Sequence, residues 1–121
     1  MPAIGSAVGY SEDVWVASAA QTANGQTADL DGYGGASTLR CQLDVTAVSG
    51  TTPSLTVFIE DTLDGVNWNQ VGAFAAKTAV GREVINVTTP FAKRLRVRWA
   101  ITGTTPSFTF SVRAVSQSAA A

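Results

Sequence analysis

Gly50-Thr51-Thr52-Pro53-Ser54 recurs as Gly103-Thr104-Thr105-Pro106-Ser107, and both copies are flanked by segments in which apolar and polar residues alternate. Ahead of the first copy, Leu39, Cys41, Leu43, Val45 and Ala47 alternate with Thr38, Arg40, Gln42, Asp44 and Thr46; after it come Leu55, Val57 and Ile59. Leu95, Val97, Trp99 and Ile101 precede the second copy, and Phe108, Phe110, Val112 and Ala114 follow it. A strand sends successive side chains to opposite faces, so this pattern buries one face of each segment. Gly and Pro between two such runs read as a turn, and each copy is expected to close a hairpin. Two similar hairpins in one short chain point to two sheets packed face to face, with Leu43, Val57, Val97, Trp99, Phe108 and Phe110 between them.

Outward from the repeats, the remaining segments fall into place. Val14, Trp15 and Val16 suggest a short first strand, and Thr27 to Leu30 another between the turns at Asn24-Gly25 and Asp31-Gly32. Asp64-Gly65 turns the chain into a segment where Val66, Trp68, Gln70 and Gly72 share a face. Arg82 to Thr88 is a further strand whose Val84 and Val87 break alternation, the mark of a bulge or an edge. No segment has the length and caps of a helix. The expectation is an all-β fold: an antiparallel two-sheet β-sandwich of about seven or eight strands, with jelly-roll connectivity among the arrangements it allows. Residues 1–12 read as an extended N-terminal arm, 13–116 as the β-sandwich domain and 117–121 as a frayed tail.

Composition limits what such a domain does. Charged residues make up 14% of the 121, against about 25% in ordinary globular chains, and the net charge is −1. No bulk field draws the chain to nucleic acid or to an anionic membrane. Histidine is absent, which removes the commonest general base and metal ligand. The one cysteine, Cys41, lies on an apolar strand face and reads as a buried, unreactive thiol. Neither a Ser-His pair, a phosphate-binding glycine loop nor a Cys/His cluster is present, so an enzyme, a cofactor and a bound metal are not expected. No run reaches the roughly 18 apolar residues of a membrane helix, and the N-terminus lacks the basic start of a signal peptide.

Three features remain as candidate contact sites. Arg94, Arg96 and Arg98 share the outward face of one strand, with Lys93 beside them and with Arg40 and Arg113 as extensions. They suit an acidic partner, phosphate binding through bidentate contacts, or a solvated face cross-paired with Asp44 and Glu60. The arm carries Ile4, Val8 and Tyr10, apolar enough to bind yet too few to fold alone. Glu60, Asp61 and Asp64 cluster at one turn and Asp29 and Asp31 at another, where turn chemistry outweighs calcium binding.

Two resemblances sharpen these expectations. Asp64-Gly65-Val66-Asn67-Trp68 resembles the Asp-Gly-x-x-Trp turn of discoidin-type carbohydrate-binding modules, which implies a sugar platform at Trp68, Trp15 or Tyr33. Leu43 to Val57, Glu60 to Trp68 and Thr104 to Phe110 resemble small β-sandwich virion proteins of tailed bacteriophages. That resemblance implies a non-enzymatic capsid decoration (cement) protein, or a minor head or tail component, made in the host cytoplasm and carried on the virion. It implies the major capsid protein or another virion protein as partner, homo-oligomeric assembly, and contact through Ile4, Val8, Tyr10, Arg94, Arg96 and Arg98. The alternative expectation is a carbohydrate-binding module or receptor-binding fibre head.

Overall fold

The computed structural model describes residues 10–34 and 36–118. They form six antiparallel strands: β1 (Tyr10–Gln21), β2 (Gly25–Gln26), β3 (Ala36–Thr62), β4 (Trp68–Ala73), β5 (Gly81–Val87) and β6 (Arg94–Ser118). No helix occurs among the described residues. All six strands belong to one hydrogen-bonded sheet of order β1-β6-β3-β4, with β2 added to β6 and β5 to β3.

The repeats do not close hairpins. β3 and β6 run antiparallel along almost their whole lengths, from Ala36 opposite Ser118 to Thr62 opposite Arg94. The two Gly-Thr-Thr-Pro-Ser copies meet halfway, Thr51 opposite Thr104, with register shifts around Thr51. The local reason lies in the backbone. Gly50 and Gly103 take φ values of 111° and 124°, and Thr52 and Thr105 take 48° and 46°. Left-handed residues kink a strand, and Pro53 and Pro106 have no N–H for the ladder. The chain therefore bends without reversing. The copies also exclude side chains from each other: a Cβ on Gly50 would lie 2.8 Å from the Pro106 Cα, and one on Gly103 2.9 Å from the Thr52 carbonyl.

The bend divides the ladder into two limbs. One holds residues 36–49 and 107–118, flanked by β1 and β5; the other holds 54–62 and 94–102, flanked by β2 and β4. Fusing pairs of expected strands into β3 and β6 lowers the count from seven or eight to six. The strand expected at Thr27 to Leu30 is reduced to a single bridge from Leu30 to Leu95, while β2 forms just before it at Gly25–Gln26, where a turn was expected. The Asp64-Gly65 turn does close a hairpin, between β3 and β4, and β5 is an edge strand, as its broken alternation implies.

Alternation locates the core correctly. Leu43, Val57, Val97, Trp99, Phe108 and Phe110 are all buried in one cluster that draws on both limbs. Trp99 of one limb meets Phe110 of the other edge-to-face, ring centres 5.5 Å apart, a geometry that adds to simple burial. Cys41 is buried among them, and burial pushes its thiol up to about 12, which leaves it protonated and inert. Two expected boundaries move. β1 already begins at Tyr10, inside the segment read as an arm, and β6 runs through Gln117 and Ser118, inside the segment read as a tail.

Candidate functional site

β6 places Arg94, Arg96 and Arg98 on one outward face because each sits between the buried residues Leu95, Val97 and Trp99. Glu60 stands opposite Arg96 on β3. Its carboxylate accepts from Arg96 Nε at 2.7 Å and from Arg98 Nε at 2.9 Å. Burial alone would raise the Glu60 pKa, but hydrogen bonds and charge from Arg98 and Arg96 outweigh it and hold the group below its ordinary value. The two guanidinium groups also lie over aromatic rings. Arg96 stacks on Trp68 at 4.4 Å and Arg98 on Phe58 at 4.1 Å. Arg94 pairs with Asp29, its Nε donating at 3.0 Å, which raises its pKa further.

The three arginines thus come together as the sequence suggests, and Glu60 is the partner it suggests. Asp44 is not; it pairs with Arg82 in the other limb. Arg40 and Arg113 lie beyond the bend and do not continue the row. Arg96 and Arg98 both use Nε for Glu60; the Arg96 side chain is 16% exposed and that of Arg98 36%. Ile4 and Val8 lie outside the described residues. Tyr10 enters β1 opposite Gln117, in the limb away from the arginine row.

The carboxylates at the turns are held by their own chain. Asp64 Oδ1 accepts from the backbone N–H of Asn67 at 2.7 Å and of Val66 at 2.8 Å, and Oδ2 accepts from the Asn67 side chain at 2.7 Å. These bonds keep its pKa well below the carboxylate range. Asp61 accepts from the Ala92 N–H at 2.8 Å, and Asp31 from the Gly32 N–H at 2.7 Å. Among the described residues no group of three His, Cys, Asp or Glu is placed to hold a metal ion. The Asx turn lifts Leu63 and Val66 into solvent at 85% and 78% exposure. The shared face expected for Val66 with Trp68 therefore does not form; β4 starts only at Trp68. Trp68 is half-buried with Arg96 over its ring, so that face is not open to a sugar. Trp15 is buried and donates to the Tyr33 hydroxyl at 2.8 Å, which donates to Asp13 at 2.7 Å. Burial first, then the Asp13 bond, push Tyr33 up to about 12 against the pull of Trp15.

A second surface was not legible beforehand. On the outer face of the β1-β6-β3-β5 limb, Glu12, Val115, Arg40 and Asn86 form one cross-strand row, and Val14, Arg113, Gln42 and Val84 the next. All of these but Asn86 line a groove of about 290 Å³, completed by Asp13, Cys41 and Ala114. No signal within a single segment could reveal it, since the rows draw on four strands.

No family model and no curated protein matches this sequence. The fold is similar to that of the SPBc2 prophage-derived protein YomS, with a TM-score of 0.53 over 92% of this chain and 95% of that one. The sequences are 10% identical, so the likeness is one of fold.

Proposed function

We propose that this chain is a non-enzymatic structural protein of a bacteriophage particle, a capsid decoration protein that attaches to the major capsid protein and stabilises the head. The fold shared with a prophage-derived protein across nearly the full length of both chains carries the reading. Its motifs' resemblance to phage virion proteins supports it independently. In this reading the two limbs act as the two layers of a sandwich, closed over the Trp99–Phe110 contact. The arginine row supplies a preordered donor surface for acidic capsid side chains, since stacked and Nε-bonded guanidinium groups lose little freedom on binding. Residues 1–9 supply the apolar part of the attachment through Ile4 and Val8.

Sedimentation of the labelled chain with purified phage heads and, separately, with tails tests this. The expected result is co-sedimentation with heads, weakened by rising salt because exposed charges are screened, and weakened again by deletion of residues 1–9. Heads that leave the chain in the supernatant at low salt, or equal capture by tails, would overturn the assignment.

A further inference from the structure

We propose that this chain is two like halves, residues 10–62 and 68–118, folded on each other, and that two copies exchange halves to form a closed dimer. The inference goes beyond the particle role and does not depend on it. Each half runs as two flanking strands and then a long one: β1, β2 and β3 in the first, β4, β5 and β6 in the second.

The halves are also alike in sequence. Gly-Thr-Thr-Pro-Ser stands inside the long strand of each. Ahead of it, Ala19-Ala20-Gln21-Thr22-Ala23-Asn24-Gly25 matches Ala75-Ala76-Lys77-Thr78-Ala79-Val80-Gly81, one pattern of Ala-Ala-x-Thr-Ala-x-Gly. The closing glycine opens the second strand of its half, Gly25 in β2 and Gly81 in β5. The register agrees. Asp13 of β1 faces Ala114 on β6, and Asn69 of β4 faces Asp61 on β3. Asp13 and Asn69 each lie six residues ahead of the alanine that starts their motif, and Ala114 and Asp61 each lie seven past the serine that ends theirs. The Gly-Thr-Thr-Pro-Ser copies cross at Thr51 and Thr104, so the two limbs are images of each other about that crossing.

Every ladder joins one half to the other. β1, β2 and β3 pair with β6, and β4 and β5 pair with β3; among the described residues no ladder joins two strands of the same half. The isolated bridges Leu30–Leu95 and Leu55–Lys77 cross between halves too, as do the salt bridges of Arg82, Arg94, Arg96 and Arg98. A half therefore has no sheet of its own. What it needs is the complementary half, from the same chain or from a second copy.

The two halves are linked through residues 63–67, a turn with Leu63 and Val66 exposed. Straightening this turn uncovers no core. It gives up the Asp64 bonds to Val66 and Asn67 and the Gly65 N–H bond to the Thr62 hydroxyl. Two copies that straighten it together re-form every ladder across the pair, and the exchange closes with two-fold symmetry. Because both forms hold the same ladders, concentration during folding decides between them.

Size-exclusion chromatography with light scattering tests this on the full chain. Refolding from urea at about 1 mM should yield a dimer beside the monomer, and refolding at about 1 μM monomer alone. The isolated dimer should share the monomer's circular dichroism, persist on dilution, and return to monomer only after unfolding. Deleting residues 63–67 joins Thr62 directly to Trp68, so the chain cannot reverse there and should be dimeric at both concentrations. Gly65→Pro bars the positive φ of the turn, should raise the dimer fraction several-fold, and serves if the deletion variant fails to fold. Concentrated refolding that gives monomer alone overturns the proposal. So does a dimer that falls apart on dilution, which is ordinary surface association. A folded deletion variant that stays monomeric, or a Gly65→Pro chain with no more dimer than the native one, overturns it equally.

Discussion

The two limbs share one ladder and one repeat, yet they treat their outward faces differently. In the limb of residues 54–62 and 94–102, each outward arginine has a carboxylate, and two also have an aromatic seat. In the limb of residues 36–49 and 107–118, Arg40 and Arg113 make no salt bridge among the described residues, and they line a groove with the exposed Val14 and Val84 and with Glu12 and Asp13. The inward faces do not differ in this way; both are closely buried and meet in one cluster. The comparison teaches that the ladder dictates what is buried, while a carboxylate within reach, directly across for Arg96, diagonal for Arg98 and from the segment before β3 for Arg94, dictates whether an outward charge is neutralised. Glu60 faces Arg96, whereas Gln42 faces Arg113 and Val115 faces Arg40.

The strongest way to break the comparison is to ask whether the limbs are one unit. Phe108 is fully buried in the first limb. Phe108→Ala should destabilise the chain by about 3–5 kcal/mol in a urea melt, as large-to-small core changes do. The single core predicts one transition, followed alike by Trp99 fluorescence in the second limb and by far-ultraviolet dichroism. Two separated transitions would make the limbs independent domains.

A smaller effect tests the bend they share. Gly50→Ala and Gly103→Ala each add a Cβ at a left-handed residue, against the backbone of the other copy. Each should cost about 1–3 kcal/mol by strain and overpacking. The near-symmetric environments predict similar losses at both sites. A large loss at one and none at the other would show that the copies are alike only in sequence. Thr52→Gly, which relieves a β-branched residue at positive φ, should not reproduce the loss.

The smallest effects separate the limbs by pH. The Glu60 pKa is lowered in the folded state, so its contribution is full above the ordinary glutamate value and is lost as pH falls through the folded value. Glu60→Gln should cost roughly 1 kcal/mol at neutral pH, because Arg98 is partly exposed and water replaces much of the pair. It should also flatten the acid side of the stability profile. The first limb answers at the other end. Cys41 and Tyr33 stay protonated up to about 12 when folded, whereas the unfolded chain releases those protons near 9 and 10. Their contribution is full below those values and falls as pH rises towards 12. Cys41→Val should flatten the alkaline side and leave the acid side unchanged, as measured by melting temperature across pH.

Short-range chemistry accounts for what was legible. Alternation identified the buried face of both long ladders because the pleat has a period of two wherever a strand goes. Asp64-Gly65 read correctly as a turn because Asp64 bonds its own neighbouring backbone. The repeat misled for the same local reason: Gly, Thr and Pro at those spacings suit a reversal and a bend equally well. The choice belongs to the partner strand. Once Leu55 lies opposite Ile101 rather than opposite its own preceding segment, the strand must run on.

Candidate sites divide along the same line. The arginine row and its pairing with Glu60 were visible because one strand carries the row and an acid stands in the other long strand. The aromatic seats at Trp68 and Phe58, and the groove beneath Arg40 and Arg113, needed the sheet order. By itself the sequence determined an all-β chain, its buried residues and its tight turns, because these follow from side-chain period and local backbone preference. Tertiary structure alone decided the strand partners, the neutralised charges and the exposed valines, because each depends on residues that only long-range pairing brings side by side.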